Sequence, residues 1–368
     1  MFNPYIVGFV VGLVTVFVCL YFSLFQEVKN SKFIRKYLLL ISIILISIAL
    51  LLAIISPFFF TNFDIFDGEK VVKYGSVGDA IGGLMNPFIG IAAVIGTGLA
   101  FYAQYQANKQ VQDQFKLQQF DNQFYEMLRL HKENVNEMEI WNEGNTKLIS
   151  KGRTSFTIYK LEFEMFLRML IESGEEFNDK NFAILYRLFF TGLYEELTNE
   201  IKNNIPKFYI RFNKSQPTCF DGFEIIHYTI DAEYAQFHKM YERLPNLGYI
   251  QFLGHYYRHL YQMVKFVVTK FTEGLLTYDI SINYLKILRG QLSNDEQVML
   301  FYNWIAGLHD RNIGFKWEND ENQFFTEFLM IHNLPLGNLF EDDYIKKKIE
   351  YLRSIEVINR KGNLFEWD

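Results

Sequence analysis

Two histidines and an arginine within one predicted helix have the spacing that best fits ligand chemistry in this sequence. His255 and His259 are four positions apart, so a helix places both imidazoles on one face, as two metal ligands require. No carboxylate or cysteine in the same helix completes a metal site, and we therefore predict none. Between the two histidines lies Arg258, whose planar guanidinium suits a carboxylate or a phosphate group.

A solvent-exposed polar stripe is the alternative interpretation of this segment. Its polar side chains recur at intervals of three and four, as they do on the outer face of an amphipathic helix. These residues are Gln251, His255, Arg258, Gln262, Lys265 and Thr269. The pattern leaves two alternatives open: a solvated helix face, or a contact of Arg258 with a partner, a ligand or another helix.

A second candidate group lies further along the chain and consists of Arg289, Gln291 and Asn303. Beside it, Ser293 and Glu296 have the spacing of a capping box, in which the two side chains cap the first turn of a helix. The cap accounts for Ser293 and Glu296 without any further role. The other three residues are not explained by it, and they belong either to a buried polar network or to a recognition surface.

Motifs of the common enzyme classes are absent from the sequence. The chain has no GxxxxGK[ST] loop, HExxH or CxxC motif. No arginine is followed by a histidine four to six residues later, as in some helical ribonucleases. Cys19 and Cys219 do not have the spacing of a metal site or a disulfide framework. We predict no cofactor and do not favour an enzyme, although a site of unknown chemistry near Arg258 and Arg289 is kept as an alternative.

Three uncharged apolar segments occupy the N-terminal part of the chain. Residues 5–25 and 37–60 are each longer than the roughly 20 residues that a helix needs to cross about 30 Å of hydrocarbon. Residues 80–103 are also uncharged but rich in Gly and Ala, which weakens their transfer into lipid. We predict three membrane-spanning helices in residues 1–103, and no cleaved signal peptide, because the first segment lacks a basic start.

The charges of the connecting segments predict the orientation of this membrane module. Residues 26–36 are rich in Lys and Arg, whereas residues 61–79 are mainly acidic. Because Lys and Arg near membrane ends mark the cytoplasmic side, the first connection is placed inside and the second outside. Three crossings then leave the large C-terminal part in the cytoplasm, which predicts a multi-pass protein of the bacterial inner membrane.

Small and polar residues within the apolar segments predict more than anchoring. Gly8 and Gly12 have the GxxxG spacing that lets two membrane helices approach closely. A second group lies in the third segment and comprises Gly82, Gly83, Asn86, Pro87 and Gly90. There the proline removes a backbone hydrogen bond, and the asparagine needs a polar partner in hydrocarbon. This group forms either a kinked, oligomer-forming or gating helix, or an ordinary packing face.

The remainder of the chain is predicted to be helical, so the fold class is an all-α membrane protein with a cytoplasmic helical domain. Residues 104–140 are expected to form a stalk or coiled coil, or else the first helix packed on the domain core, and residues 141–368 form the domain. Helices are predicted at 153–174, 181–201, 247–271, 282–288, 295–308, 322–332 and 342–353. Between residues 205 and 230, β-prone stretches such as 208–212 predict a small hairpin or an irregular insertion.

The charge balance of the predicted cytoplasmic part argues against one class of partner. Residues 104–368 carry 30 Lys and Arg against 37 Asp and Glu, a net charge of −7. An acidic domain is a poor general binder of nucleic-acid phosphates. We therefore predict no direct nucleic-acid binding.

Six sequence blocks resemble the putative phage abortive infection family, the AbiC-like membrane proteins of bacteria. They are GDAIGGLMNP (residues 78–87), FDNQFYEMLRLH (120–131), KGRTSF (151–156), HYYRHLY (255–261), LRGQLS (288–293) and FYN (301–303). The resemblance covers about residues 75–310, and LRGQLS is its most specific block. Many relatives have two spans and a charged stalk, whereas this chain is predicted to have three spans and a Gln-rich stalk.

The resemblance implies defence against bacteriophage, in which an infected cell stops growing or dies before progeny are released. It does not imply how this happens. The leading hypothesis is that the cytoplasmic domain senses a phage-derived or host trigger and acts through the membrane module, as a homo-oligomeric pore or gate in contact with membrane lipid. The alternatives are a membrane-tethered enzyme and a scaffold that recruits another defence protein.

Overall fold

The computed structural model of the chain describes residues 32–62, 77–141, 147–215, 248–309 and 314–366. These residues are mainly helical, as predicted. The chain divides into two units, Met1–Phe115 and Lys116–Asp368. One helix, Val77–Asn136, contains the boundary between them.

The first unit contains helix α1 (Lys32–Asn62) and the beginning of helix α2 (Val77–Asn136). Residues 37–60 and 80–103, both predicted to be apolar helices, are therefore helical. The predicted span at residues 5–25 lies outside the described residues, and with it Gly8 and Gly12.

Helices α1 and α2 are in contact in the first unit, and small residues are buried on both. Ala49 and Ala53 of α1 and Ala92 of α2 are all buried. The Ser56 hydroxyl donates to the Ala53 carbonyl at 3.0 Å and lies 3.5 Å from the Leu84 carbonyl oxygen of α2. Small side chains let two helix backbones approach closely, which is how helices associate where lipid offers no hydrophobic driving force.

The outer faces of these two helices are apolar and exposed. Ile54 and Phe58 of α1 are 70% and 69% exposed, and Val94 and Phe101 of α2 are 63% and 67% exposed. By length and composition, Leu40–Phe58 and Ile81–Asn136 can each cross a membrane.

The second unit begins with the last turns of α2. Phe120 and Phe124 are buried in its core, where their rings lie 5.0 Å from those of Phe266 and Tyr284 respectively. The segment from Phe120 onward is thus packed on the domain core, which is one of the two alternatives predicted for residues 104–140.

A two-stranded antiparallel hairpin follows α2. Strands β1 (Glu139–Trp141) and β2 (Leu148–Lys151) pair with Glu139 opposite Lys151. Residues 208–212, which the sequence marked as β-prone, are helical, and residues 216–230 of the predicted hairpin or irregular insertion lie outside the described residues. Phe208 and Phe212 are four positions apart, so a helix buries both and brings their rings to 5.7 Å.

Eight further helices are described in the second unit. They are α3 (Ser155–Glu172), α4 (Asp179–Thr191), α5 (Glu195–Asn204), α6 (Pro206–Ser215), α7 (Ile250–Thr272), α8 (Tyr278–Arg289), α9 (Asn294–His309) and α10 (Asp343–Ser354). The predicted helix at 181–201 is two helices, because Gly192 at φ +85° ends α4 in a conformation that favours glycine.

Helix α9 is the central element of this unit. Every residue from Glu296 to Ala306 is buried, as expected of a helix that is surrounded on all sides. It packs against α3 and α4, and its fully buried side chains include Tyr302 and Trp304. The elements around α9 position the polar groups described below.

The predicted helix at residues 322–332 is absent, and turns take its place. The buried carboxylate of Glu318 accepts the backbone N–H groups of Phe325 and Thr326, each at 3.0 Å, and the Thr326 hydroxyl at 2.6 Å. Leu329 has a φ of 58°, which a helix does not allow. The helix was predicted because apolar residues recur there at helical spacing. In the structure these residues belong to turns, and the turns bury their side chains.

Candidate functional site

The polar stripe of α7 is exposed along its whole length. Gln251, His255, Arg258, Gln262, Lys265 and Thr269 are all exposed, while Tyr256, Tyr257 and Leu260 are buried on the inner face. The solvated-face interpretation therefore describes Arg258 in this structure. His259, at the edge of the stripe, is half-buried.

Arg289, from the second candidate group, is buried at the end of α8. Its guanidinium donates to the Leu329 carbonyl at 2.5 Å and to the Asn333 side-chain oxygen at 3.1 Å. Burial lowers the pKa of Arg289 to about 10. The bond to Leu329 holds the one non-glycine residue of positive φ among those described, so Arg289 supports a strained turn.

Asn303 belongs to a different buried network. Its amide nitrogen donates to the Tyr186 hydroxyl at 3.2 Å, and its oxygen accepts from the Trp317 indole at 3.0 Å and the Phe315 backbone N–H at 3.2 Å. Gln291 is half-exposed in the turn after α8. The six predicted residues thus lie in three neighbourhoods: His255, Arg258 and His259 on α7, Arg289 and Gln291 at the end of α8, and Asn303 within α9.

The predicted capping box at the start of α9 is confirmed. The Ser293 backbone N–H donates to the Glu296 carboxylate at 2.6 Å, and the Glu296 N–H donates to the Ser293 hydroxyl at 3.3 Å. The Glu296 side chain is fully buried and also accepts the Tyr256 hydroxyl at 3.2 Å. Burial raises the pKa of Glu296. The Arg153 Nε lies 3.9 Å from Oε2 of Glu296, the oxygen that accepts the Ser293 N–H. This separation is beyond hydrogen-bonding distance.

A buried histidine of α2 packs against Tyr256. His131 of α2 is 1% exposed, and its ring lies 5.1 Å from that of Tyr256 and 5.8 Å from that of His259. Neither of its ring nitrogens has a hydrogen-bond partner among the described residues. Burial, then the nearby His259 and Arg153, lower its pKa to about 3.

His259 shares this environment. Its Nδ1 is buried and has no hydrogen-bond partner in the described part of the chain. Burial, and to a smaller extent the nearby His255, lower the pKa of His259. Two neutral imidazoles with unused nitrogens therefore stack beside a half-exposed guanidinium.

We call these five residues the His131 cluster: His131, Arg153, Tyr256, His259 and Glu296. They come from α2, from the turn before α3, from α7 and from the start of α9. Neither His131 nor Arg153 was predicted from the sequence to belong to a site. Both do occur in blocks quoted for the family resemblance, and the convergence of those blocks is the pattern that could have identified them.

A second, partly buried polar network lies on α3 and at the start of α9. Lys160 lies 3.7 Å from Asp295 and 4.0 Å from Glu164, and Glu164 accepts the Tyr302 hydroxyl at 2.7 Å. Asp295 also accepts the Thr157 hydroxyl at 2.5 Å. These groups contact one another, whereas both ring nitrogens of His131 and the Nδ1 of His259 have no hydrogen-bond partner among the described residues. Among the described residues, no three His, Cys, Asp or Glu side chains converge as metal ligands would.

Comparison with known proteins gives one match. Residues 248–339 match the family model described as putative phage abortive infection protein, which confirms the resemblance over this part of the chain. The matched range includes Tyr256, His259 and Glu296 and begins after His131 and Arg153. No curated protein and no solved structure matches the chain.

Proposed function

We propose that this chain, whose residues 248–339 belong to the family of putative phage abortive infection proteins, is a membrane-anchored protein that stops the growth of phage-infected bacteria. The family match supports the defensive role. The two apolar helices carry the anchoring, because both are long enough to span a bilayer and expose large apolar side chains.

The anchoring proposal rests on which residues are covered in the first unit. Small residues such as Ala53 and Ala92 are buried, with Ile95 as a larger buried residue, while large ones such as Ile54 and Val94 are exposed. In water this arrangement would expose a continuous apolar surface, which soluble proteins avoid. In lipid it is the expected arrangement, because hydrocarbon solvates the large side chains and the small ones allow close packing.

The basic segment at residues 26–36 supports the orientation. If three helices span the inner membrane and this segment is cytoplasmic, the second unit is cytoplasmic as well. There it is placed to meet a phage-derived or host trigger.

We further propose that the first unit transmits the response as a homo-oligomeric gate or pore. A Cβ atom added at Gly82, Gly83 or Gly90 would meet nothing within 4 Å among the described residues. Asn86 and Pro87 are both exposed on the same helix. An exposed amide in hydrocarbon requires a polar partner or water, and another copy of the chain would provide one.

Membrane potential during infection tests this proposal. Cells carrying the wild-type chain should depolarise at the time of growth arrest, and cells carrying Asn86→Leu should keep both their potential and their sensitivity to phage. Thr97→Val is the matched control, because the Thr97 hydroxyl already donates to the Ala93 carbonyl at 2.8 Å within its own helix. An intact potential at arrest in wild-type cells would remove the pore, and protection by Asn86→Leu would remove the role of Asn86.

A further inference from the structure

We infer that the His131 cluster is a binding site for a small ligand that carries a phosphoryl group, with Arg153 as its main contact and His131 and His259 as additional hydrogen-bonding groups. The inference deepens the proposed function and rests on it, because the bound ligand would be what the cytoplasmic unit senses. The binding event itself can be measured without phage.

Arg153 provides the first argument, because its hydrogen-bonding groups are unused. Its side chain is 44% exposed, and its closest polar approach among the described residues is the 3.9 Å separation from the Glu296 carboxylate. A guanidinium has five N–H donors in a planar fork that matches two oxygens of a phosphate. Here the guanidinium lies near the buried Glu296 side chain and is partly exposed to solvent.

The two histidines provide the second argument. Buried polar atoms are nearly always paired in native proteins, yet both nitrogens of His131 and the Nδ1 of His259 have no partner among the described residues. A neutral imidazole donates through one nitrogen and accepts through the other. A ligand with several oxygens next to Arg153 would supply the missing acceptors.

The chemistry of the surrounding groups selects the ligand class. A metal ion is disfavoured, since no third His, Cys, Asp or Glu converges with the histidines among the described residues. A phosphoryl group offers more acceptor oxygens than a carboxylate, enough for the guanidinium and both imidazoles. Glu296 opposes an anion. However, its oxygens already accept the Ser293 backbone N–H and the Tyr256 hydroxyl, and the Arg153 Nε stays beyond hydrogen-bonding distance of them.

Titration calorimetry on the detergent-solubilised full-length protein tests the site. The probes are inorganic phosphate and adenosine monophosphate, which distinguish the free anion from a nucleotide. We expect saturable binding of at least one probe, and Arg153→Gln should weaken it about 10-fold or more, because hydrogen bonds to charged groups have about that effect. Arg258→Gln is the matched control: this exposed arginine of the polar stripe should change affinity less than about twofold.

Proton uptake gives a second readout that a purely structural role would not produce. An anion beside His131 favours its protonated form, so binding near pH 5 should take up more protons than the ionisation of the probe accounts for, measured as a dependence of the binding heat on the buffer. His131→Phe should reduce this uptake. The inference is overturned if neither probe binds saturably, or if Arg153→Gln and Arg258→Gln bind equally. A protein that binds through Arg153 but protects cells from no phage would instead contradict the proposed function and leave this site standing.

Discussion

Replacing His131 by phenylalanine should make the protein more resistant to acid. His131 is buried, and its pKa in the folded protein is lowered to about 3, mainly by burial. In the unfolded chain its pKa is about 6.5. A histidine of this kind adds no destabilisation above pH 6.5, but as the pH falls from 6.5 towards 3 the unfolded chain binds a proton that the folded chain excludes. Stability is therefore lost on acidification.

The size of the effect follows from the interval between the two pKa values. Each pH unit below the unfolded pKa corresponds to about 1.4 kcal/mol, so at pH 5 His131 alone lowers the free energy of unfolding by about 2 kcal/mol. Phenylalanine does not titrate, and its ring can occupy the space between Tyr256 and His259. It also removes two buried nitrogens that have no hydrogen-bond partner among the described residues. Each buried group left unpaired lowers the free energy of unfolding by about 1–3 kcal/mol.

Thermal unfolding of the detergent-solubilised protein in phosphate-free buffer measures this. Between pH 7 and pH 5 the melting temperature of the wild-type protein should fall further than that of His131→Phe, by roughly 4–8 °C for a unit of this size. Other titrating groups are common to both proteins and cancel in the comparison. Parallel pH profiles would refute the reasoning, since they would mean that His131 titrates normally or has a partner in the folded protein.

Two further predictions concern buried groups in each unit. Arg289→Ala should lower the melting temperature by roughly 6–12 °C, because it leaves the Leu329 carbonyl unpaired at a loss of about 3 kcal/mol. Arg258→Ala should have almost no effect on the melting temperature. Equal melting temperatures of the two variants would contradict the burial of Arg289. In the first unit, Ala53→Phe places a large side chain at a buried position, so it should disrupt the packing of α1 and reduce the amount of protein in the membrane. Immunoblotting of the membrane fraction measures this amount. Ile54→Phe, at an exposed position, should not reduce it. Similar amounts of both would argue against this packing.

Local patterns were predicted correctly because their physical cause is local. The capping box joins Ser293 and Glu296, three positions apart, and any helix beginning there forms it. The polar stripe of α7 repeats at helical intervals, so its exposure follows once the inner face is buried. The mainly helical content follows from the same periodicity.

Buried networks could not be assigned from the sequence, because their partners are distant along the chain. Arg289 contacts Leu329, 40 residues away, and Asn303 contacts Tyr186, 117 residues away. The sequence left open whether these residues form a network or a recognition surface, and their burial places both in networks. The β-prone interpretation of residues 208–212 was not met for another reason. Aromatic side chains occur in strands as well as in helices, and packing on the core favoured the helix.

The His131 cluster is where local and global requirements disagree. A histidine at the helical spacing of Phe120 and Phe124 occupies a position that an apolar residue would fill with greater stability. Such a conflict is expected where a protein gives up stability for a functional site. The two explanations differ in what His131→Phe does in cells. If the cluster binds a ligand that the protein must sense, the variant is more stable but protects less well against phage. If the histidine is only a weak point in the packing, the variant is more stable and protects at least as well.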